Sequence, residues 1–149
     1  MEFKELKKID LDYLKKIVEL EEEAFEGNGG VDLWILKALI RYGKVFVIEE
    51  NDEIVSIVEY MQCFDKKEVF LYGICTRKKY RSQGHAKEIM RESEKELKNL
   101  GYKEIGLTVD PNNEIGINLY KKLGYEVAEY QENEYGEGVH RYLMKKVIN

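Results

Sequence analysis

The sequence RKKYRSQGHAKEIM, from Arg77 to Met90, joins an apolar strand to a long helix through a loop rich in Lys and Arg. Four of its first five residues are cationic, and Gly84 stands where the helix begins. Backbone N–H groups in the first turn of a helix lack intrahelical partners and carry the positive end of the helix dipole. A glycine there lets an anion approach the backbone, and Arg81 adds charge-assisted hydrogen bonds. The loop is therefore predicted to bind a pyrophosphate.

A solvated cationic loop with an ordinary turn glycine is the simplest alternative, since short motifs often match by chance. The position of the loop, after a buried strand and before a helix without a capping side chain, favours the anion site. The sequence has neither a G-x-x-x-x-G-K-[ST] motif nor a G-x-G-x-x-G motif after a strand. The common nucleotide-binding loops are thereby excluded.

On the N-terminal side of this loop we predict, in order, a strand, two helices and three further strands. DLDYLKKIVELEEEAF (10–25) starts at a capping Asp10, and VDLWILKALIRYG (31–43) gives a helix that ends before Gly43. KVFVIEENDEIVSIVEYMQCF (44–64) contains two β-rich runs around the turn END, which indicates a hairpin. KEVFLYGICT (67–76) is apolar on both faces, as in a central strand.

On the C-terminal side, a helix is predicted from Gly84 to Leu100 and is closed by Gly101. A strand at 104–109, an Asn-capped helix at 112–124 and strands at 125–132 and 139–147 follow. Because hairpins and crossovers alternate, we expect an α/β fold with a mixed, mostly antiparallel central sheet and flanking helices. The buried stripe of the long helix is predicted to be Ala86, Ile89, Met90, Ser93, Leu97 and Leu100.

Length and composition limit the class of protein. At 149 residues the chain is expected to form one domain, residues 1–149. The formal net charge of −5 argues against wholesale nucleic-acid binding, so an anion site must be local. Cys63 and Cys75 lie in apolar runs, and we expect both thiols to be buried and reduced. No stretch approaches the length of a membrane span, and we expect a cytoplasmic protein without membrane or nucleic-acid partners.

Two linked motifs carry a resemblance to a known family. Arg81, Gly84 and Ala86 form the pattern [R/Q]-x-x-G-x-[G/A], and LTVDPNNEIGINLYKKLGYEV (107–127) follows with an Asn-capped helix, a tyrosine and LGY. With both motifs the sequence resembles the GNAT superfamily of acetyl-coenzyme-A-dependent N-acetyltransferases. The resemblance covers nearly the whole chain in element order, although the first forty or so residues match only in pattern.

The resemblance implies that two parallel strands splay apart and that the pantetheine arm of acetyl-CoA lies between them. The segment Ile74, Cys75 and Thr76 is expected to contact this arm, with main-chain bonds from Ile74 and Thr76. The Ile74 N–H would polarise the thioester carbonyl. Asn113 matches a coenzyme-contacting asparagine, and no metal is implied. The diphosphate would take backbone N–H groups from Arg81, Ser82, Gln83, Gly84, His85 and Ala86.

Tyr120 matches the family's tyrosine near the thioester sulfur and is predicted to be catalytic. The alternative is a helix tyrosine that packs beside Leu119 and Leu123. Proton donation from a tyrosine of pKa about 10 to a thiolate of pKa about 8.5 is uphill by roughly 2 kcal/mol. A hydrogen bond to the leaving sulfur is therefore favoured over early full proton transfer.

The sequence leaves the general base open. Two branches of the family have a carboxylate where this chain has Thr108 or Phe70, which speaks against those branches and their protein substrates. Glu68 is a candidate catalytic residue, because we expect it to lie with Tyr72 on the same face of its strand as Ile74.

Other ionisable residues near the predicted site have competing interpretations. Glu59 on the third strand and His140 on the last are further candidates for the base. His85 is expected to be a surface side chain. Cys75 is expected to turn to the face opposite Ile74 as an unreactive buried thiol, which argues against a ping-pong mechanism.

Together these features predict an N-acetyltransferase that moves acetyl directly from acetyl-CoA to the amine of a small cationic or α-amino acceptor. The acidic segments ELEEEAFEGNGG (19–30) and QENEYGEG (131–138) border the acceptor side in this fold and favour a cationic amine. Three alternatives stay open: a protein or peptide acceptor, another acyl group, and a non-catalytic CoA-binding regulatory module. A homodimer is neither required nor excluded.

Overall fold

The computed structural model describes all 149 residues and arranges seven strands in one sheet, in the order β1-β2-β3-β4-β5-β7-β6. All neighbouring strands are antiparallel except β4 and β5, and the predicted element order and mixed sheet are confirmed. The elements are β1 (Glu2–Glu5), α1 (Leu11–Phe25), α2 (Leu33–Tyr42), β2 (Lys44–Glu50), β3 (Glu53–Gln62), β4 (Glu68–Thr76), α3 (His85–Asn99), β5 (Glu104–Val109), α4 (Glu114–Lys122), β6 (Glu126–Gln131) and β7 (Arg141–Val147).

The sheet separates two hydrophobic cores. One core lies between the sheet and α1 and α2, and includes Leu14, Leu36 and Ile57. The other lies under α3 and α4, and includes Ile89 and Ile117. Because both faces of the sheet are covered, β3 is buried along most of its length, which explains its nearly continuous apolar sequence.

The start of α1 and the end of α2 follow the predicted capping chemistry. Asp10 Oδ1 accepts hydrogen bonds from the N–H groups of Asp12 and Tyr13 at the start of α1. The N–H of Gly43 donates to the carbonyl of Leu39 and ends α2. Both boundaries are as predicted from the sequence.

The predicted stripe of α3 is confirmed at Ile89, Met90, Ser93 and Leu97, all of which are buried. The prediction that Leu100 is buried is wrong, because 54% of this residue is exposed. The helix ends at Asn99, so Leu100 is the C-cap and leaves the buried face of the helix.

The β2–β3 hairpin turns at Asn51 and Asp52, which have φ angles of 54° and 60°. Positive φ at both central residues matches the twist of the flanking strands, and Asn and Asp tolerate this conformation better than most residues. The predicted hairpin is therefore confirmed.

The parallel strands β4 and β5 pair only at their beginnings. Glu68, Val69 and Phe70 are registered with residues 104–106, and no pairing follows toward the carboxyl ends. Beyond Phe70, one edge of β4 therefore has no neighbouring strand. This is the splayed parallel pair that the resemblance implied.

A β-bulge interrupts the β3–β4 ladder. Glu59 is opposite Gly73 and Tyr60 is opposite Leu71, so Tyr72 is an extra residue on β4. The extra residue reverses the alternation of side chains along the strand. Ile74 consequently packs against the same core as Leu71, and the expectation that Glu68 and Tyr72 share its face is wrong.

The two cysteines differ in burial. Cys75 is buried in the core under α1 and α2, as expected, whereas Cys63 is only partly buried and corrects the prediction. Cys63 follows the last residue of β3, where the sheet is no longer covered. None of the helices combines the length and the apolar character that a membrane crossing requires.

Candidate functional site

The N-terminus of α3 presents a row of free backbone donors. The N–H groups of the six residues from Ser82 to Lys87 donate to no acceptor within the protein, and the first intrahelical bond runs from Glu88 to Gly84. The N-cap residue Gly84 makes no side-chain capping bond. Free donors at the positive end of a helix form an anion site. The N–H of Arg81 was predicted to belong to this row but does not, because it donates to the carbonyl of Lys78 at 3.2 Å.

Gly84 holds this donor row in shape. Its φ of 85° lies in the left-handed region, and a Cβ added there would have no protein atom within 4 Å. The space in front of the glycine is therefore open, as an approaching anion requires. Ser82 also has a positive φ, of 63°, so the loop turns sharply immediately before the helix.

Most cationic side chains of the loop are held by carboxylates. Lys78 Nζ is 3.1 Å from Glu26 Oε1, and Lys79 Nζ is 2.9 Å from Glu53 Oε2. Arg81 is exposed and donates to two carbonyl groups, Thr76 and Ala24, each at 3.3 Å. The loop is thus fastened to α1 and β4, and the free donors are mainly backbone groups.

His85 is buried, with 6% exposure, which corrects the expected surface position. Its Nε2 is 2.7 Å from Glu50 Oε2, and its Nδ1 is 3.1 Å from the carbonyl of Tyr80. The ring therefore connects the start of α3 to the end of β2. Its side chain has a structural role, while its backbone N–H belongs to the donor row.

The open edge of β4 lies next to this donor row. The N–H of Arg77 donates to the carbonyl of Val55 at 2.8 Å. Because antiparallel ladders alternate, Cys75 and Gly73 also bond toward β3, and the main-chain groups of Ile74 and Thr76 face the missing strand. This placement agrees with the predicted roles of Ile74 and Thr76.

Cys75 does not contact the open edge. Its side chain lies in the core under α1 and α2, and its main-chain groups belong to the β3 ladder. Burial, together with the charges of Glu21 and Glu59, raises the pKa of the thiol far above its usual range. This placement speaks against the coenzyme contact expected at Cys75. It agrees with the expectation that the thiol is unreactive.

Tyr120 is half-buried and packs against the same core as Ile74. Its ring meets Tyr125 edge-on, with centroids 6.0 Å apart. The protein provides no hydrogen-bond partner for its hydroxyl, in contrast to the hydroxyls of Tyr60 and Tyr125. Burial raises the pKa of Tyr120, so the hydroxyl is a neutral donor rather than a ready acid.

Asn113 caps α4, and its Oδ1 accepts the N–H of Gly116 at 2.9 Å. Its amide nitrogen makes no hydrogen bond within the protein and is free to donate outward. The residue is exposed just beyond the end of β5, on the same side of the sheet as Tyr120.

A family model described as the acetyltransferase (GNAT) family matches residues 12–125 of the sequence. This chain belongs to the GNAT acetyltransferase family. The matched range extends from α1 to the start of β6 and contains the donor row, the open strand edge and Tyr120. The sequence-based assignment to this family is confirmed. No protein of curated function matches the sequence closely enough to narrow it further.

Solved structures of other GNAT enzymes share the fold. The ribosomal-protein-S18-alanine N-acetyltransferase from Escherichia coli has a TM-score of 0.81 at 19% identity, over 99% of this chain and 95% of that chain. The aminoglycoside 6'-N-acetyltransferase from Enterococcus faecium has a TM-score of 0.84 at 15% identity, over 100% and 98%. An aminoglycoside 6'-N-acetyltransferase complexed with coenzyme A has a TM-score of 0.83 at 16% identity, over 100% and 98%.

Within this GNAT chain, Glu68 is distant from the open strand edge. It begins β4, six residues before Ile74, which corresponds to roughly 20 Å along a strand. Its carboxylate lies 3.8 Å from Lys145 Nζ. This placement speaks against Glu68 as a base and gives it a structural ion pair instead. His140 lies just before β7, and its Nδ1 accepts the N–H of Asn133 at 3.0 Å.

The acidic segments of the GNAT chain divide into three groups. Glu23 and Glu26 bind the cationic loop, since Glu23 Oε2 accepts the N–H of Lys78 at 3.0 Å. Glu21 is buried and faces Glu59. Five further acidic residues are exposed to solvent, namely Glu19, Glu22, Glu132, Glu134 and Glu137.

Among the candidate bases, Glu59 is the β3 partner of Gly73, the residue before Ile74. The sequence analysis did not single out Glu21, which is one of four glutamates in α1. The helical spacing of Leu14, Ile17 and Glu21 was the available signal, because it places Glu21 on the buried face of α1.

Proposed function

We propose that this protein is an N-acetyltransferase that uses acetyl-CoA as its co-substrate and acetylates a small amine directly. The observation that carries the proposal is the donor row Ser82–Lys87 beside the open edge of β4. One element fits a diphosphate, and the other fits an extended amide-containing arm. They are close in sequence, since β4 ends at Thr76 shortly before the donor row, and both lie within the range that matches the GNAT family.

Two features of the site support the binding of this coenzyme. The donor row has unpartnered N–H groups, and no protein atom lies in front of Gly84. Ile74 and Thr76 offer main-chain groups for an added strand-like partner, which is how a sheet edge binds an extended chain. When bound, acetyl-CoA supplies an activated acetyl thioester.

The chain's own groups then have separate tasks. The Ile74 N–H is proposed to donate to the thioester oxygen, and such oxyanion-type donors contribute about 10²–10³-fold in rate. The hydroxyl of Tyr120 is proposed to donate to the departing sulfur, since nothing in the protein occupies it. Asn113 is proposed to contact the coenzyme through its free amide nitrogen.

A small cationic or α-amino acceptor is favoured by charge and proton affinity. The protein has a formal net charge of −5, and acidic residues are exposed in the β6–β7 loop. Deprotonation near neutral pH costs about 1 kcal/mol for an α-amine of pKa about 8, but roughly 4.6 kcal/mol for a lysine-like amine of pKa about 10.4. The related structures come from enzymes named for aminoglycosides and for a ribosomal protein, so both acceptor classes are tested.

Thiol release from acetyl-CoA tests the proposal directly. Spermidine, an aminoglycoside, free amino acids and a lysine peptide are supplied as competing acceptors, and acetylated products are identified by mass spectrometry. We expect transfer to a small amine, with the lysine peptide ranked last. Binding of CoA without thiol release from any amine would instead indicate a non-catalytic CoA-binding module.

A further inference from the structure

Two carboxyl groups are buried together between α1 and the sheet. Glu59 of β3 has 0% exposure, and Glu21 of α1 has 1%. Both oxygens of Glu59 and Oε1 of Glu21 have no hydrogen-bond partner. Buried polar atoms are nearly always hydrogen-bonded, and an unpaired buried charge destabilises a fold strongly. The pair therefore works against stability, as functional sites often do.

The inner end of the pair lies against β4 at Gly73, the residue before Ile74. Glu59 is registered opposite Gly73, and a Cβ added at Gly73 would lie 2.9 Å from Glu59 Oε2. The carboxylate thus occupies space that any other residue at position 73 would fill. Gly73 immediately precedes Ile74, whose main chain faces the gap between β4 and β5. The β-bulge at Tyr72 sets this arrangement.

The outer end of the pair reaches the surface. A Cβ added at Gly30 would lie 3.3 Å from Glu21 Oε2. Gly30 is exposed, has a φ of 90°, and ends the glycine-rich loop of residues 27–30. The two neighbouring carboxyl groups therefore lie between Gly73 of β4, beside Ile74, and the surface loop that ends at Gly30.

The surroundings favour a proton held between the two groups. Burial raises the pKa of Glu59 well above its usual range, and the neighbouring charge of Glu21 raises it further. From β4 the thiol of Cys75 faces the pair. The positive charge of Arg81, in the loop before α3, acts electrostatically on this thiol. From α2 the buried residues are apolar, namely Leu36, Leu39 and Ile40.

We propose that Glu59, supported by Glu21, is the general base of the acetyl transfer. Glu59 takes the proton from the acceptor nitrogen, and Glu21 passes it toward Gly30 and solvent. The nitrogen–carbon bond forms, the carbon–sulfur bond breaks with its electron pair on sulfur, and the thiolate, which accepts a hydrogen bond from Tyr120, takes its proton from water. This inference rests on the proposed function. It assigns a base to a chain that has Phe70 and Thr108 where its relatives have carboxylates.

The pair has the properties that the reaction needs. A general base is most effective when its pKa lies near the working pH. When two carboxyl groups interact, the pKa of one of them is raised. Glu59 is the catalytic residue in this scheme because it receives the proton. Glu21 is a positioning residue, since it acts through Glu59.

The test compares Glu59→Gln, Glu21→Gln and the control Glu94→Gln. Glu94 is a half-buried carboxylate on the opposite face of the sheet, where it binds Tyr125 and Lys146. For each variant, kcat/KM is measured against pH with one acceptor, and CoA affinity is measured by calorimetry. We expect Glu59→Gln to lower kcat/KM about 10²–10⁴-fold. We also expect this variant to lose the fall in kcat/KM that protonation of Glu59 causes on the acid side of the pH profile.

Glu21→Gln has a different signature. It removes the charge that raises the pKa of Glu59, so the fall of kcat/KM on the acid side of the pH profile moves to lower pH. Protonation of the acceptor amine also affects the pH profile, but this effect is the same in all variants. Unchanged CoA affinity and a control within about twofold of wild type support the assignment. Glu59→Gln with wild-type kcat/KM overturns it while leaving the acetyltransferase intact. A wild-type protein that binds CoA but acetylates no amine overturns both proposals.

Discussion

At the scale of single residues, the site is defined by polar groups that the fold leaves without partners. The hydroxyl of Tyr120 has none, although its ring is packed beside Tyr125. The carboxylate of Glu59 has none, although it is fully buried. The protein satisfies comparable groups elsewhere, for example the hydroxyl of Tyr60, which is 2.7 Å from Ser93 Oγ. Unsatisfied groups near one strand edge therefore mark the place where a ligand completes the structure.

Tyr120→Phe removes only a hydroxyl, so CoA affinity is expected to hold while kcat falls about 10–10³-fold, because the departing sulfur loses its donor. Steady-state kinetics with a competent acceptor and calorimetry with CoA measure the two quantities. Tyr102→Phe is the matched control, since Tyr102 packs against the same core but donates to Gln62 at the opposite end of the sheet. Equal kcat values for the two variants would reduce Tyr120 to a packing residue.

Glu59→Gln is also expected to change the pH dependence of stability. The folded protein holds a proton on Glu59 at pH values where the unfolded chain has released it, so stability falls as pH rises above about 4.5 toward the raised folded pKa. The variant lacks this loss, and each unit of raised pKa corresponds to about 1.4 kcal/mol. Urea unfolding at pH 5 and pH 8 should show the variant gaining on wild type at pH 8. Parallel pH profiles would contradict the raised pKa.

At the scale of elements, the anion site could be predicted because its parts are adjacent in the sequence. Gly84, the cationic loop and the uncapped helix are all contained in residues 77–90, and local chemistry determines them. The face of Ile74 could not be predicted, because the bulge at Tyr72 depends on pairing with β3 and reverses the alternation. The burial of His85 also depends on a distant residue, Glu50.

Gly84→Ala is expected to weaken CoA binding about tenfold or more, because the new Cβ stands where the diphosphate meets the backbone. Gly101→Ala is the matched control at the other end of α3. Both glycines have positive φ and open space around a new Cβ, so both variants carry a similar strain of about 1 kcal/mol. Calorimetry with CoA separates anion binding from this shared strain. A similar loss of affinity in both variants would show that strain alone is responsible.

At the scale of the whole molecule, charge is distributed unevenly over a chain of formal net charge −5. Lys78 and Lys79 are paired with Glu26 and Glu53, while the β6–β7 loop exposes three glutamates. The mixed sheet and its helices followed from the periodicity of the sequence, since long patterned segments specify their own elements. The pairing of Glu21 with Glu59 did not, because the two residues meet only after α1 packs on the sheet.

The exposed acidic residues are expected to attract a cationic acceptor over a long range. The kcat/KM for a polyamine should fall several-fold between about 0.05 and 0.5 M NaCl, because salt screens interactions between exposed charges. The kcat/KM for an acceptor with no net charge should change little over the same range. Equal salt sensitivity for both acceptors would assign the effect to CoA binding instead.

Amide hydrogen–deuterium exchange with and without CoA measures the central claim most directly, namely that the free N–H groups from Ser82 to Lys87 bind the coenzyme. These amides are expected to exchange rapidly in the free protein and to be protected by CoA, together with Ile74 and Thr76. The amides around Gly101 should be unaffected. Calorimetrically detected CoA binding that leaves the amides of residues 82–87 unprotected would contradict the account.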